Sequence, residues 1–202
     1  SLMVLKGLLL CFACYLIGGI PFGMLLGLTF KKTDIRKYGS GNIGTTNVLR
    51  TMGLKMALPT FILDFSKGML AYFLATSLGL SEGWVIACGL ATVIGHDWSI
   101  FLKFTGGKGV ATAYGFILVA CPKVCAIGMI VWILTSLISR YFSLASLLSC
   151  IGLILGCLVF KVSPVITIYC IIATALIFVK HKANITRLLS GTENRFGGHK
   201  SK

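Results

Sequence analysis

The chain has 202 residues, of which 56% are hydrophobic and only 12% are charged, and its net charge is +14. A water-soluble domain carries about 25% charged residues, so the composition excludes that class and indicates a polytopic helical membrane protein. The positive charge would suggest nucleic acid in a soluble protein, but here the basic residues stand mostly in short segments between apolar runs, where membrane topology and anionic lipid explain them.

The first apolar run, Leu2–Phe30, exceeds the ~20 residues that a helix needs to cross a bilayer. It is also too long for a secretory signal peptide, and no small-residue cleavage pattern precedes the basic cluster that follows it. The sequence therefore predicts a retained first span that leads into a polar loop.

That loop, GSGNIGTTNVLR at residues 39–50, has a composition suited to binding an anion. Its glycines allow positive φ and let several backbone N–H groups turn toward one point, while its hydroxyl and amide side chains add donors. Arg50 supplies a planar fork that matches phosphate oxygens, and a helix starting near Thr45 would direct its N-terminal amides to the same anion. The alternative is a glycine-rich turn with an arginine that serves topology.

The second run extends from about Leu54 to Leu80 and contains two charged residues, Asp64 and Lys67. Their i,i+3 spacing puts them on one face of a helix, where they are expected to neutralise each other. Charged groups inside a membrane span often mark a functional site, and a scaffold ion pair is the alternative.

The third and fourth runs, Trp84–Gly95 and Gly109–Cys121, are short for a span. Thirteen helical residues rise only about 20 Å against a hydrocarbon core of about 30 Å, so these segments are predicted to be tilted, extended into their connecting loop or re-entrant. His96 and Asp97 follow the third run, and adjacent residues on a helix do not face each other, which favours a hydrogen-bonded structural role over a catalytic pair.

The segment TGGKGVAT, residues 105–112, places Lys108 among three glycines. It lacks the glycine and the Ser or Thr of a Walker A loop, so it predicts a flexible loop that delivers one positive charge. Two such loops on one face suggest two anionic groups to hold. The alternative is a lysine in a turn that serves topology.

Three more runs, Val124–Ile138, Phe142–Phe160 and Pro164–Val179, complete a prediction of about seven spans. After the last run, His181, Asn184 and Arg187 stand at i, i+3 and i+6. If the last helix continues, these three residues form one polar stripe, and a basic interfacial helix that binds lipid headgroups is the alternative.

Orientation follows from the distribution of basic residues. Seven crossings place 15 of the 19 lysines and arginines on one face. The sequence therefore predicts a single membrane domain, 1–202, with its N-terminus outside, its C-terminus in the cytoplasm, and a functional face made of cytoplasmic segments 31–55, 95–109, 139–143 and 180–202.

The eight cysteines lie in or at the ends of apolar runs. Cys11 and Cys14 have CxxC spacing, but neither a second pair nor a nearby histidine completes a metal set. The pattern is typical of small apolar packing residues, so we expect no metal site.

Taken together, several segments resemble the bacterial acyl-phosphate:glycerol-3-phosphate acyltransferase family. They are GSGNIGTTNVLR, the GH at 95–96 followed by FTGGKGVAT, SLAS at 143–146 and HKANITRLLSGTE from residue 181, with LDFSKG at 63–68 as a further similar segment. The resemblance covers nearly the whole chain in order. Thr45 and Ser99 depart from it, since the family usually has a smaller residue and a proline at these positions.

The resemblance implies an enzyme of phospholipid synthesis in the bacterial inner membrane that acts on its cytoplasmic side without a cofactor. It would transfer a fatty acyl group from acyl phosphate to the 1-hydroxyl of glycerol 3-phosphate, giving lysophosphatidate and phosphate. By analogy the acyl phosphate would be held by Ser40, Gly41, Asn42, Gly44, Thr46 and Asn47. Glycerol 3-phosphate would be bound by Arg50, Lys108, Ser143, His181 and Asn184, and the catalytic residues would be Lys108, Arg50, His181 and Ser143.

Phosphate leaves a mixed anhydride readily, so the reaction needs oriented donors more than a strong acid. We therefore expect direct transfer without an acyl-enzyme, with His181 or a phosphate oxygen of the donor as base. Two other functions remain open: a transporter of a phosphorylated metabolite, which would place its site near the midplane of repeated halves, and a scaffold that binds lipid through its basic face.

Overall fold

A computed structural model describes residues 2–197, and this part of the chain is helical, as predicted. The α-helices are α1 Leu2–Gly19, α2 Phe22–Lys31, α3 Thr45–Met52, α4 Leu54–Ser77, α5 Glu82–Asp97, α6 Val110–Ala120, α7 Pro122–Ser139, α8 Phe142–Val159, α9 Pro164–Lys180 and α10 Lys182–Leu189. Two short 3-10 helices, Ile35–Lys37 and Ile100–Leu102, lie in the loops.

Among the described residues, three segments are long and apolar enough to cross a membrane: Leu2–Lys31, Pro122–Ser139 and Phe142–Val159. A fourth is obtained if α9 and α10 are taken together as one broken span. Helices also occupy the other predicted runs, but α5 has 16 residues and α6 has 11, so both are short for an upright crossing. The chain is thus a membrane protein with several helical spans, and the number seven stays a prediction.

The first apolar run is one candidate span, as predicted, but it consists of two helices. α1 ends at Gly19 and α2 begins at Phe22, because Pro21 has no N–H to donate and its ring obstructs the preceding turn. The break lies within an apolar run of the sequence, so the backbone carbonyls beside it need partners from elsewhere in the protein.

The last helix does not continue through the tail, so the condition for one polar stripe of His181, Asn184 and Arg187 is not met. α9 ends at Lys180, and α10 leaves it at an angle of 65°. His181 lies at the bend, where its N–H bonds the carbonyls of Ile177 and Phe178 in the last turn of α9. Asn184 and Arg187 therefore belong to a separate helix.

The chain divides into two compact units, Ser1–Ala120 and Cys121–Lys202. In the first unit α1 packs on α5 and α4 packs on α6, and glycines allow both pairs to approach closely. In the second unit α8 packs against both α7 and α9. The cysteines contribute to these interiors as predicted, since all eight are free thiols and all except Cys11 are buried.

The contact between α4 and α6 generates a stability prediction. A methyl group on Gly115 would overlap the carbonyl oxygen of Phe65, whereas one on Gly83 in α5 would meet nothing within 4 Å. We expect Gly115→Ala to cost about 1–3 kcal/mol by overpacking and to lower the Tm by roughly 2–10 °C. Thermal unfolding in detergent measures the effect, with Gly83→Ala as the matched control. Equal Tm values for the two variants would contradict the close contact.

Candidate functional site

The first glycine-rich loop is held in shape by one buried asparagine. Asn47, in the first turn of α3, donates its amide hydrogens to the carbonyls of Asn42 and Tyr38 at 2.8 and 3.0 Å. Its Oδ1 accepts the N–H of Ser40 at 2.9 Å. Gly39 and Gly41 have φ values of 60° and 71°, in the left-handed region that favours glycine. The side chain of Asn47 is thus engaged inside the loop, where it positions the backbone.

The helix predicted to start near Thr45 does start there, as α3. Gly44 is its N-cap residue, and the N–H of Gly44 bonds Oδ1 of Asn42 at 2.8 Å. Within residues 2–197 no hydrogen bond takes up the N–H groups of Thr45 and Thr46, the first two in the helix. The side chains of Ser40, Thr46 and Arg50 are exposed. Backbone amides without a partner and exposed side-chain donors therefore lie together at a helix N-terminus, where an anion is stabilised.

The second glycine-rich loop is seated against the end of α5. The N–H of Gly107 bonds the carbonyl of His96 at 2.9 Å, and the imidazole of His96 occupies the space that a side chain at residue 107 would need. Gly109 has a φ of 69°, and its backbone lies beside the carboxylate of Asp97. Half-buried Lys108 stands between these two anchored glycines.

Ser99, one of the two departures from the family pattern, has structural partners. Its hydroxyl donates to the carbonyl of Gly19 at 2.5 Å and accepts the N–H of Phe101 at 3.2 Å, which caps the short helix Ile100–Leu102. Its N–H bonds the carbonyl of Thr105 at 2.9 Å. The serine therefore closes the loop before Lys108 with a backbone hydrogen bond that a proline could not donate.

The two loops, predicted separately, meet within the first unit. Nδ2 of Asn42 lies 3.4 Å from the carbonyl oxygen of Gly106, across 64 positions of sequence. The donor-rich start of α3 and the loop of Lys108 thus form one continuous polar surface, which we call the two-loop surface (residues 39–50 and 105–109).

The predicted ion pair in the second run is present and buried. Nζ of Lys67 lies 2.7 Å from Oδ1 of Asp64, and both side chains are almost fully inaccessible. Nδ1 of His96 lies 3.5 Å from Nζ of Lys67 and 3.6 Å from Oδ1 of Asp64. His96 therefore faces the ion pair on α4, which the sequence did not reveal.

A second, exposed ion pair lies just before the two-loop surface. Arg36 donates to Asp34 through Nε and Nη2, the latter at 2.6 Å. This side-chain hydrogen bonding lowers the pKa of Asp34 to about 2. The carboxylate remains charged at all physiological pH values and caps the turn of residues 35–37 through the N–H of Arg36.

In the second unit the carboxylate of Glu193 accepts hydrogen bonds from three polar side chains. Oε1 of Glu193 accepts the hydroxyl of Ser143 at 3.1 Å and the amide of Asn184 at 2.9 Å, while Oε2 accepts Nε of Arg187 at 2.7 Å. Packing of Phe196 on Phe142, at 4.7 Å between ring centroids, fixes the tail that carries this glutamate.

Sequence reasoning did not select Glu193. A signal was available, because Glu193 is one of only 5 acidic residues in the chain and stands in a basic tail. Its side chain is only 6% exposed. Acidic side chains are buried to this extent almost only when they are paired with other polar or charged groups.

His181 is buried at the bend between α9 and α10. Its Nδ1 lies 2.8 Å from the carbonyl oxygen of Ile177. A carbonyl only accepts, so Nδ1 carries the hydrogen of this bond, and a neutral imidazole then presents Nε2 as its basic nitrogen.

The predicted site residues therefore fall into two groups. The two-loop surface brings together Ser40, Gly41, Asn42, Gly44, Thr46, Asn47, Arg50 and Lys108 in the first unit. The second unit holds Ser143, His181 and Asn184. Ser143 and Asn184 both donate a hydrogen bond to Glu193. Their roles toward substrates stay predictions.

Comparison with known proteins gives consistent matches over nearly the whole chain. A family model described as glycerol-3-phosphate acyltransferase matches residues 8–191. A protein of Laribacter hongkongensis named glycerol-3-phosphate acyltransferase is 43% identical over 191 residues, covering 92% of this chain and 94% of its own length.

Two solved structures are similar as well. Both are crystal structures of PlsY, described as an integral membrane glycerol 3-phosphate acyltransferase, in a glycerol 3-phosphate form and a lysophosphatidic acid form. Their TM-scores are 0.89 and 0.88 at 40% and 39% identity, and each comparison covers 95% of this chain and 96% of the other.

The contacts of Asn47 give the next testable prediction. In Asn47→Asp the side chain can only accept, so it would repel the carbonyls of Tyr38 and Asn42 that it now binds. We expect a loss of about 1–3 kcal/mol of stability and faster trypsin cleavage after Arg36 and Lys37. Thr51→Val, which removes one hydrogen bond to the backbone of residue 47, is the control and should cleave at the parent rate. Equal cleavage of both variants would refute the role of this amide.

The contacts of Glu193 give a prediction for the second unit. Glu193→Gln keeps the shape but turns an NH₂ group toward one of the three donors that the carboxylate accepts. Hydrogen bonds to a charged group contribute about 1.5–3 kcal/mol, so we expect the Tm to fall by several degrees. Glu82→Gln, at the exposed start of α5, is the control. An unchanged Tm for Glu193→Gln would show that the three hydrogen bonds to Glu193 contribute little to stability.

Proposed function

We propose that this protein, which belongs to the glycerol-3-phosphate acyltransferase family, takes its acyl group from acyl phosphate and transfers it directly to the 1-hydroxyl of glycerol 3-phosphate. Membership confirms the family resemblance of the sequence and the acyltransferase activity that forms lysophosphatidate. The direct route and the residues that carry it are the proposal.

One observation supports the proposal above the others: two donor-rich loops lie together on one surface. The start of α3 and the loop of Lys108 are joined by the contact between Asn42 and Gly106. Both substrates carry a phosphate group, and backbone amides, a helix N-terminus and a lysine each favour phosphate. The solved PlsY structures are described as glycerol 3-phosphate and lysophosphatidic acid forms, which supports the same substrate and product here.

We assign the acyl phosphate to the loop before α3. Its donors are the backbone of Gly41 and Gly44 and the side chains of Ser40, Asn42 and Thr46, while Asn47 positions that backbone. Arg50 and Lys108 bind the phosphate of glycerol 3-phosphate. Ser143, His181 and Asn184 keep the glycerol 3-phosphate roles that the resemblance implies.

The reaction requires oriented charge more than a strong base. The 1-hydroxyl oxygen attacks the acyl carbonyl carbon, and the bond from that carbon to the phosphate oxygen breaks as the tetrahedral oxyanion collapses. The hydroxyl proton moves to an oxygen of the departing phosphate, which makes the donor its own base. Preorganised N–H groups and the ammonium of Lys108 stabilise the developing negative charge, and positioning the hydroxyl beside the carbonyl supplies much of the remaining rate.

Topology completes the proposal. The basic residues concentrate in segments 31–55, 95–109, 139–143 and 180–202, which favours placing them on the cytoplasmic side of the bacterial inner membrane. Seven crossings of a single membrane domain, with the N-terminus outside, would put all four segments on that side.

An assay with purified protein tests the reaction. With glycerol 3-phosphate and palmitoyl phosphate we expect phosphate and lysophosphatidate to form in equal amounts, and with palmitoyl-CoA no product. Lys108→Ala and Arg50→Ala should each lower kcat/KM by about 100-fold or more, because each removes a charged donor. Lys108→Arg should also lose most activity, since a guanidinium fork does not fit a tight glycine loop. Lys103→Ala, an exposed lysine of the same segment, is the control.

The alternatives predict different outcomes. A lipid-binding scaffold would tolerate Lys108→Arg, and a transporter would take up glycerol 3-phosphate into proteoliposomes that contain no acyl donor. An acyl-enzyme trapped by rapid quenching would refute direct transfer while leaving the overall reaction intact.

A further inference from the structure

Lys67 is fully committed to partners deep inside the first unit. Its ammonium donates to the carbonyl of Ile20 at 2.6 Å, to Oδ1 of Asp64 at 2.7 Å and to the carbonyl of Gly18 at 3.0 Å. An ammonium has three hydrogens, so these three acceptors use all of them. The neighbouring Nδ1 of His96 lies 3.5 Å from Nζ of Lys67 and 3.6 Å from Oδ1 of Asp64, so the imidazole faces both members of the ion pair.

Asp64 in turn is connected to both ends of the loop that carries Lys108. Its carboxylate faces His96, the residue whose carbonyl accepts the N–H of Gly107 and whose ring packs on that glycine. Its backbone carbonyl accepts the hydroxyl of Thr112 at 2.9 Å, in the first turn of α6 just after the loop. One residue of α4 is thus linked to the chain on either side of Lys108, at Gly107 through His96 and at Thr112 directly.

We infer that Asp64, Lys67, His96 and Thr112 are positioning residues that hold the loop of Lys108 in the geometry needed to bind glycerol 3-phosphate. None of them need touch the substrate, because they act through the backbone at Gly107 and at the start of α6. The inference rests on the proposed role of Lys108 as a ligand of the substrate phosphate.

The helix contacts make this arrangement stiff. Gly68, one residue after Lys67, lies directly against the backbone of Thr112, and Gly115 lies against the backbone of Phe65. Backbones that approach this closely cannot slide without a clash, so a displacement at Asp64 is transmitted to α6. A small shift of a loop lysine is enough to weaken a phosphate contact.

A double-mutant cycle separates positioning from general destabilisation. The variants are Thr112→Val, which keeps the shape and deletes the bond to Asp64, and Asp64→Asn, which removes the charge beside His96. Each is made alone and with Lys108→Ala, and the Kd for glycerol 3-phosphate is measured by equilibrium dialysis of the labelled compound against the full chain in detergent. Thr60→Val is the matched control, because Thr60 is equally buried in α4 but bonds only its own helix, at Met56.

We expect Thr112→Val to raise the Kd roughly 5-fold and Asp64→Asn roughly 10-fold, with Thr60→Val within about 2-fold of the parent protein. In the Lys108→Ala background the first two changes should have almost no further effect, because the contact they position is already gone. Thermal unfolding verifies that each variant is folded. If Asp64→Asn does not fold, the cycle with Thr112→Val decides alone.

Two results would overturn the inference for different reasons. In the first, Lys108→Ala raises the Kd, and Thr112→Val and Asp64→Asn raise it by the same factor with or without Lys108→Ala. The cluster is then structural only, and the proposed role of Lys108 stands. If Lys108→Ala leaves the Kd unchanged, the proposed substrate contact of Lys108 is wrong, and the positioning inference is overturned with it.

Discussion

The break between α1 and α2 is the constraint on which the first unit depends. A helix that is interrupted in apolar surroundings exposes backbone carbonyls that neither lipid nor water can satisfy there. Three consecutive carbonyls at this break receive side-chain donors: Gly18 and Ile20 from Lys67, and Gly19 from Ser99. The donors come from α4 and from the turn after α5, so satisfying one break fixes the positions of two other elements.

Both glycine-rich loops are seated on this interrupted segment. Just before the break, Gly19 lies against the side chain of Ser99, which closes the loop leading to Lys108. Just after it, Gly23 lies against the backbone carbonyl of Ile43 in the loop that precedes α3. A side chain larger than hydrogen at residue 23 would push the two segments apart. The polar surface is therefore built on the same backbone irregularity that the buried lysine satisfies.

Much of this architecture could be predicted from local sequence. Apolar runs predicted the helices, the loop at residues 39–50 was expected to lead into a helix near Thr45, and i,i+3 spacing predicted the pair of Asp64 and Lys67. The break at Pro21 was missed because a proline inside a long apolar run does not reveal whether a span bends or divides. The bend at His181 carries neither proline nor glycine at its centre, so no local signal indicated it.

Contacts between segments far apart in the chain could not be predicted from local sequence patterns. The bond from Asn42 to Gly106 and the gathering of Ser143 on Glu193 join residues 64 and 50 positions apart. Composition indicated that both loops attract anions, but only the packing of α1 on α5 and α2 on α4 brings them together. For the same reason Asn47 was read as a substrate donor, although its amide groups are engaged in shaping the loop.

The buried ion pair is best understood by asking what an apolar replacement would do. A pair of hydrophobic residues often stabilises a protein as well as a buried salt bridge, because removing two charges from water is unfavourable. Here that exchange would remove the donor to the carbonyl of Gly18 and leave the carbonyl of Ile20 with the N–H of Phe22 alone, and an unsatisfied buried acceptor costs about 1–3 kcal/mol. Lys67 is thus required by the backbone, and Asp64 is required by Lys67, since a buried charge without its partner is strongly destabilising. The ion pair follows from the helix break, and the orientation of His96 beside the glycine loop follows from the ion pair.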